Sequence, residues 1–114
     1  MVSPVSEIEL ARRIRDKKQS SMKHFEMIKY LVSQQEKYKN FRIYAFNDDS
    51  SFSRIEDYKD GSHYRTEINY RILNSIKERR HEINALNIDS YLNADYKKAL
   101  SVNFEYYYNL IKNL

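Results

Sequence analysis

Apolar residues recur at helical spacing in four stretches of the chain and alternate in one. Ile8, Ala11 and Ile14 repeat every three residues, and Ser6 with Glu9 ahead of them has the capping-box spacing that starts a helix. The polar stretch from Asp16 to Ser21 predicts a kink or break. Periodicity resumes with Phe25, Ile28, Leu31 and Val32 and fades near Tyr38 and Asn40. From Phe41 to Phe46 the period changes to two, which predicts a short strand. Phe41, Ile43 and Ala45 fall on one face, and Arg42, Tyr44 and Phe46 on the other. Residues 47–64 form a long polar loop, and loops of that length are uncommon and often functional. Ile68, Ile72, Leu73 and Ile76 then mark an amphipathic helix ending near Arg80. A last helix from about Ser90 carries Leu100, Phe104, Tyr107, Ile111 and Leu114.

One glycine and one proline leave few breakers, so long helices are expected. The order is helix, helix, strand, loop, helix, helix. A lone strand cannot satisfy its own backbone hydrogen bonds. Either Phe41–Phe46 pairs with another chain, or it is not a strand, or the part that supplies its sheet is missing. Met1-Val2-Ser3-Pro4 reads like residues that follow a strand, so the expectation is a truncated, predominantly helical α/β piece. It would have about four helices and one short strand.

The length of 114 residues fits one domain with a core of its own. With 41% hydrophobic and 32% charged residues the composition is globular. The absence of cysteine excludes disulfides, thiolate metal sites and a cysteine nucleophile. No signal peptide is visible at the N-terminus, and runs such as Tyr30-Leu31-Val32 are far too short to span a bilayer, so the default location is cytoplasmic. The net charge of +4 invites a nucleic-acid partner. However, Lys and Arg alternate with Asp and Glu, as in Lys77-Glu78-Arg79, and that pattern reads as a solvated face with no specific nucleic acid. Arg12-Arg13-Ile14-Arg15 and Arg79-Arg80-His81 are the densest basic runs and could touch an anionic partner.

The one stretch that reads as chemistry is Asp60-Gly61-Ser62-His63-Tyr64. A carboxylate three residues before an imidazole can turn back and accept the proton on one ring nitrogen. The other nitrogen is then free as a general base, which makes Asp60 and His63 the candidate catalytic pair. Gly61, the single glycine, would supply a positive-φ turn between them. The same spacing also suits a carboxylate that merely caps a turn while His63 packs beside Tyr64. Asp48, Asp49, Glu56 and Asp57 lack the spacing of a calcium loop and read as solvated turn residues, so no metal and no cofactor are expected. His24 and His81 lie in helical stretches with no partner at ligand spacing. Of Tyr106-Tyr107-Tyr108, Tyr107 belongs to the apolar stripe, while Tyr106 and Tyr108 suit an interface.

Tyr58-Lys59-Asp60-Gly61-Ser62-His63-Tyr64, with Glu67-Ile68-Asn69 and Ile72-Leu73 behind it, resembles the C-terminal block of SGNH/GDSL-type hydrolases. It is closest to the bacterial SGNH-like proteins encoded near surface-polysaccharide genes. The leading Pro4-Val5-Ser6 and the spacing of helices and strand are similar to theirs as well. The resemblance covers roughly residues 2–80 and implies the C-terminal half of a flavodoxin-like domain over 1–88. An amphipathic helix over 89–114 would pack on that region or on a partner. It further implies His63 as general base and Asp60 as its orienter, acting on an acylated carbohydrate. The family's nucleophilic serine lies in an N-terminal G-D-S block, and its oxyanion hole uses a glycine and an asparagine from middle blocks. With Gly61 the only glycine, the glycine-bearing blocks are missing. The expectation is therefore a truncated esterase piece, inactive alone or completed by its missing N-terminal half. The alternative is a non-catalytic helical protein that self-associates through its last helix; a basic nucleic-acid binder is a third reading.

Overall fold

The computed structural model describes residues 1–16, 18–60 and 62–113, without side chains at 16, 18–21, 110 and 111. Among these residues it contains α1 (Glu7–Asp16), α2 (Lys18–Gln34), β1 (Ile43–Tyr44), α3 (Thr66–Lys77), β2 (Glu82–Ile83), α4 (Ile88–Ser101) and α5 (Phe104–Lys112). Two 3₁₀ turns, Ser50–Phe52 and Ile55–Asp57, lie between β1 and α3. The chain is mostly helical around a small sheet, as expected, with one more α-helix and one more strand than the periodicity suggests.

The strand finds its partners within the chain. β1 pairs antiparallel with β2, Ile43 opposite Ile83 and Tyr44 opposite Glu82. On the other side Val2 bridges Ala45 in parallel, and the Val2 amide donates to the Tyr44 carbonyl at 2.7 Å. The regular ladder is shorter than the expected 41–46 strand, because Phe41 and Arg42 are exposed and lie outside it. The alternation of faces holds from 43 to 46. Ile43, Ala45 and Ile83 pack under Ile28 and Val32 of α2 and Ile88, Tyr91 and Leu92 of α4. Tyr44 and Phe46 face the opposite way, against Phe52 and the Ile68 and Ile72 of α3. Helices therefore cover both faces of this small antiparallel sheet. Complete burial of side chains such as Ile28 and Ile68 contributes about 1.5–3 kcal/mol each.

β2 was missed in the sequence because of how α3 ends. The Arg80 amide donates to the Ser75 carbonyl at 2.7 Å and the Arg79 amide to the Ile76 carbonyl at 3.1 Å. This is the pair of bonds that closes a Schellman motif, with Arg79 in the left-handed position (φ 55°) that glycine usually takes. His81 is left-handed too (φ 64°), and the chain leaves this double turn straight into β2. In α3, Ile68, Ile72 and Ser75 are buried, whereas Leu73 is exposed.

The expected single last helix is interrupted. Val102 is extended (φ −66°, ψ 126°), and the Asn103 side chain accepts the Tyr106 amide at 3.1 Å, capping a new helix. The buried face of α4 is Ile88, Tyr91, Leu92, Asp95 and Ala99, so the predicted stripe through Leu100 is out of register and Leu100 is exposed. The side chains of Ile111 and Leu114, also on that stripe, lie outside the described residues. At the other end, the Ser6 hydroxyl accepts the Glu9 amide at 3.3 Å, one half of the capping box. The Glu9 carboxylate turns instead to Arg12 and Arg13, whose hydrogen bonds hold its pKa down at about 2. The expected kink or break over residues 16–21 includes Lys17, which lies outside the described residues; α1 is described to Asp16 and α2 from Lys18. α1 rests on α4 through Val5, Leu10, Ile14 and Ala99.

Candidate functional site

Residues 57–60 and 62–65 pair with one another ahead of α3. Tyr58 bridges Tyr64, the Lys59 amide donates to the His63 carbonyl at 2.8 Å, and the Arg65 amide donates to the Asp57 carbonyl at 2.7 Å. The turn is mounted on the core. The Tyr58 hydroxyl donates to the Phe52 carbonyl at 2.7 Å, and the Tyr58 and Tyr64 rings meet edge-on with centroids 6.0 Å apart. Burial raises the Tyr58 pKa, so this hydroxyl stays protonated as the donor it needs to be.

At the tip of the turn the Asp60 carboxylate collects three bonds from the two residues that follow Gly61. Oδ1 accepts the amides of Ser62 and His63, each at 3.0 Å, which is an Asx-type turn. The same carboxylate lies 2.7–2.8 Å from Nδ1 of the His63 ring. The Ser62 amide and then the His63 ring hold the Asp60 carboxyl below its usual value, so it is ionised at neutral pH. An ionised carboxylate accepts, so Nδ1 carries the proton and neutral His63 presents a bare Nε2. The sequence thus placed both partners of this contact. The expected left-handed Gly61 lies outside the described residues.

The pair stands in solvent, with the His63 and Asp60 side chains 74% and 60% exposed. Asp60 is the ring's only hydrogen-bonding partner among the described residues. What the geometry supplies is an oriented base without a bound nucleophile and without exclusion of water.

A second Asp–His contact was not legible in the sequence. His81 Nε2 lies 2.9 Å from Asp49 Oδ2, and its ring packs 5.0 Å from Phe46 and 5.1 Å from Phe52. The expectation that His81 lies in a helical stretch without a partner is corrected, since it sits in the turn after α3 and most of its side chain is buried. Asp49 is likewise no solvated loop residue. Its Oδ1 accepts the amide and hydroxyl of Ser51 at 2.9 and 2.7 Å. Burial pushes the Asp49 pKa up, but the bonds from Ser51 and His81 outweigh it and the net shift is downward. Arg71 closes the network by donating to the Ser51 carbonyl at 2.7 Å, its guanidinium 4.2 Å above the Phe52 ring. Asp49-x-Ser51 has the spacing of an Asx turn, but no linear signal joins it to a histidine 32 residues away.

Behind this network lies a buried polar set. Asp95 is 2% exposed, and burial raises its pKa to about 6 against the opposing pull of Lys98. Burial lowers the Lys98 pKa, and its ammonium donates to the Ser53 hydroxyl. Among the described residues no group of three or more His, Asp or Glu is placed to hold a metal ion, and no helix is long and apolar enough to cross a membrane. Compared with protein-family models, curated proteins and solved structures, the chain finds no match in any of the three.

Proposed function

We propose that Asp60 and His63 are the orienter and general base of an acyl-hydrolase site of the SGNH type, and that this chain carries half of that site. The observation that carries the reading is the 2.7–2.8 Å contact of the Asp60 carboxylate with His63 Nδ1, which fixes the tautomer and leaves Nε2 open. In that role Nε2 takes the proton of a serine hydroxyl or a water as it attacks an ester carbonyl. It then returns the proton to the leaving alcohol. Nucleophile and oxyanion donors come from a second polypeptide or segment, and the substrate is an ester of an acylated carbohydrate. The Val2–Ala45 parallel bridge, with helices on both sheet faces, suits the C-terminal half of a flavodoxin-like domain.

The test is hydrolysis of p-nitrophenyl acetate by this chain and its His63→Gln and Asp60→Asn forms. A His63-dependent rate that drops in both variants supports the pair as a base. Because this activated ester needs only a base and a water, with no serine or oxyanion donor, equal rates in all three overturn the reading.

A second reading, a helical protein that self-associates, is favoured by α5, which presents Tyr106 and Tyr108 to solvent at 59% and 65% exposure. It requires concentration-dependent sedimentation that Tyr108→Glu abolishes; a chain monomeric at all concentrations rejects it.

A further inference from the structure

A cavity of about 290 Å³ lies between the last turns of α3 and the 3₁₀ turn Ser50–Phe52. That is just below the ~300–1,000 Å³ of small-molecule sites and far above the ~30 Å³ share of one water molecule. Phe52 and Ser75, each 2% exposed, form its base, and Arg71, Asn74 and Arg80 line it as well.

Ser75 is the residue that points to an occupant. Its hydroxyl has no hydrogen-bond partner among the described residues, yet it is not sealed off and lines the cavity. A helical serine commonly turns its hydroxyl back to a carbonyl of the preceding turn, as Ser33 and Ser101 do here at 2.6 and 2.8 Å. Ser75 does not. Buried polar groups in folded proteins are nearly always paired, with protein, water or ligand.

The chemistry around Ser75 favours an anion. Arg71 is held in place 4.2 Å above the Phe52 ring, with the Ser51 carbonyl and hydroxyl taking two of its N–H donors. The rest of its fork is unspent among the described residues. Arg80 belongs to the basic run Arg79-Arg80-His81, and the left-handed residues on either side of it (φ 55° and 64°) fold it back over α3. Its Nε donates to exposed Glu78 at 2.9 Å, which leaves its terminal nitrogens. The Arg80 and Arg79 amides satisfy the Ser75 and Ile76 carbonyls, so the negative end of α3 is already capped. Asp49 is the one carboxylate in the lining, and its oxygens are engaged by Ser51 and His81. Two guanidiniums against one engaged carboxylate leave the cavity positive.

We propose that this cavity binds the phosphate oxyanion of a small molecule, with Arg71 and Arg80 on its charged oxygens and the Ser75 hydroxyl donating from the base. The only phenyl ring in the lining, Phe52, is covered by Arg71 and offers no open face to a stacked base. A small molecule therefore suits the site better than a nucleic-acid strand. The proposal is independent of the role of Asp60 and His63.

The experiment is an NMR titration of the labelled chain at pH 7.5 with inorganic phosphate. Sodium chloride at equal ionic strength is the control, and glycerol 3-phosphate is the ester arm. Saturable shifts at the Ser75 and Arg80 amides and the Arg71 Nε–H are expected, with a Kd on the order of 1 mM. Tighter binding of the ester assigns the cavity to a phosphomonoester, and equal or weaker binding assigns it to free phosphate. Arg80→Gln is expected to weaken binding about tenfold, the scale of losing a charged hydrogen-bond partner. Ser75→Ala removes a hydroxyl without a protein partner, so the fold is kept, and is expected to weaken binding about threefold. Arg79→Gln, next in the chain to Arg80 but absent from the lining, should leave binding nearly unchanged. Absence of saturation, an equal response to sodium chloride, unchanged binding in Ser75→Ala, or an equal loss in Arg79→Gln and Arg80→Gln would each overturn the proposal.

Discussion

Asp60 holds His63 at two points, accepting its main-chain amide at 3.0 Å and meeting its ring Nδ1 at 2.7 Å. One carboxylate therefore sets both the backbone of the turn and the tautomer of the imidazole. Asp60→Ala removes both contacts. The Ser62 and His63 amides should lose their protection from hydrogen exchange, while global stability stays nearly unchanged, as for other exposed positions. The effect has a defined pH window. Because the folded pKa of Asp60 is lowered, its contribution is present above the ordinary aspartate value of 3.8 and is lost as pH falls through the folded value. Amide exchange in wild type and variant checks this. Unchanged protection at Ser62 would mean that the turn stands without its carboxylate.

Arg79 occupies the left-handed position of the Schellman turn, where a Cβ costs about 1–2 kcal/mol relative to glycine. Its side chain is exposed. Arg79→Gly should therefore stabilise the protein by up to about 1 kcal/mol, after the extra freedom of glycine in the unfolded chain is subtracted. That corresponds to a Tm rise of about 4 °C for a domain of this size, read by circular dichroism. A lower Tm would show that the Arg79 side chain stabilises the turn by more than its backbone costs.

Asn103 separates two helices that periodicity alone joins into one. Asn103→Ala removes the acceptor for the Tyr106 amide and should cost about 1 kcal/mol of helix stability, concentrated in α5. Faster amide exchange confined to residues 104–112, with α4 unchanged, is the expected outcome. If α5 keeps its protection, it is held by the packing of Arg15 over Phe104, 4.5 Å from the ring centroid, and not by its cap.

These cases show what a linear reading can reach. The positions of α1, α2 and α3, the 43–46 alternation and the Asp60–His63 contact are local, written within three or four residues, and they were legible. β2 was not, because two residues with no apolar period become a strand only once a non-glycine left-handed turn delivers them to β1. The Asp49–His81 contact was hidden for the same reason, as it depends on how α3 ends. Asp95 carries no linear signal that sets it apart from the other charged residues of α4. Its burial follows from α4 turning Tyr91 and Asp95, four residues apart, toward one side.

Asp95 sets the pH response of the core. Its folded pKa of about 6 lies above the ordinary 3.8 because burial disfavours the charged form. Between these values the folded state binds more protons than the unfolded state, so stability falls as pH rises through this window and levels off above it. The full shift corresponds to about 3 kcal/mol at most. Asp48 and Glu7, also raised chiefly by burial, act in the same direction, whereas Glu9 at about 2 contributes only at lower pH. Asp95→Asn should therefore flatten, without abolishing, the decline in stability between about pH 4 and 6. Urea denaturation of both proteins at pH 4.5, 6 and 7.5 measures it. The absolute stability of the variant also reflects Lys98, which loses a nearby negative charge, so the comparison rests on the slope. Parallel pH profiles for the two proteins would mean that Asp95 is ionised across the whole range and that its charge is balanced within the core.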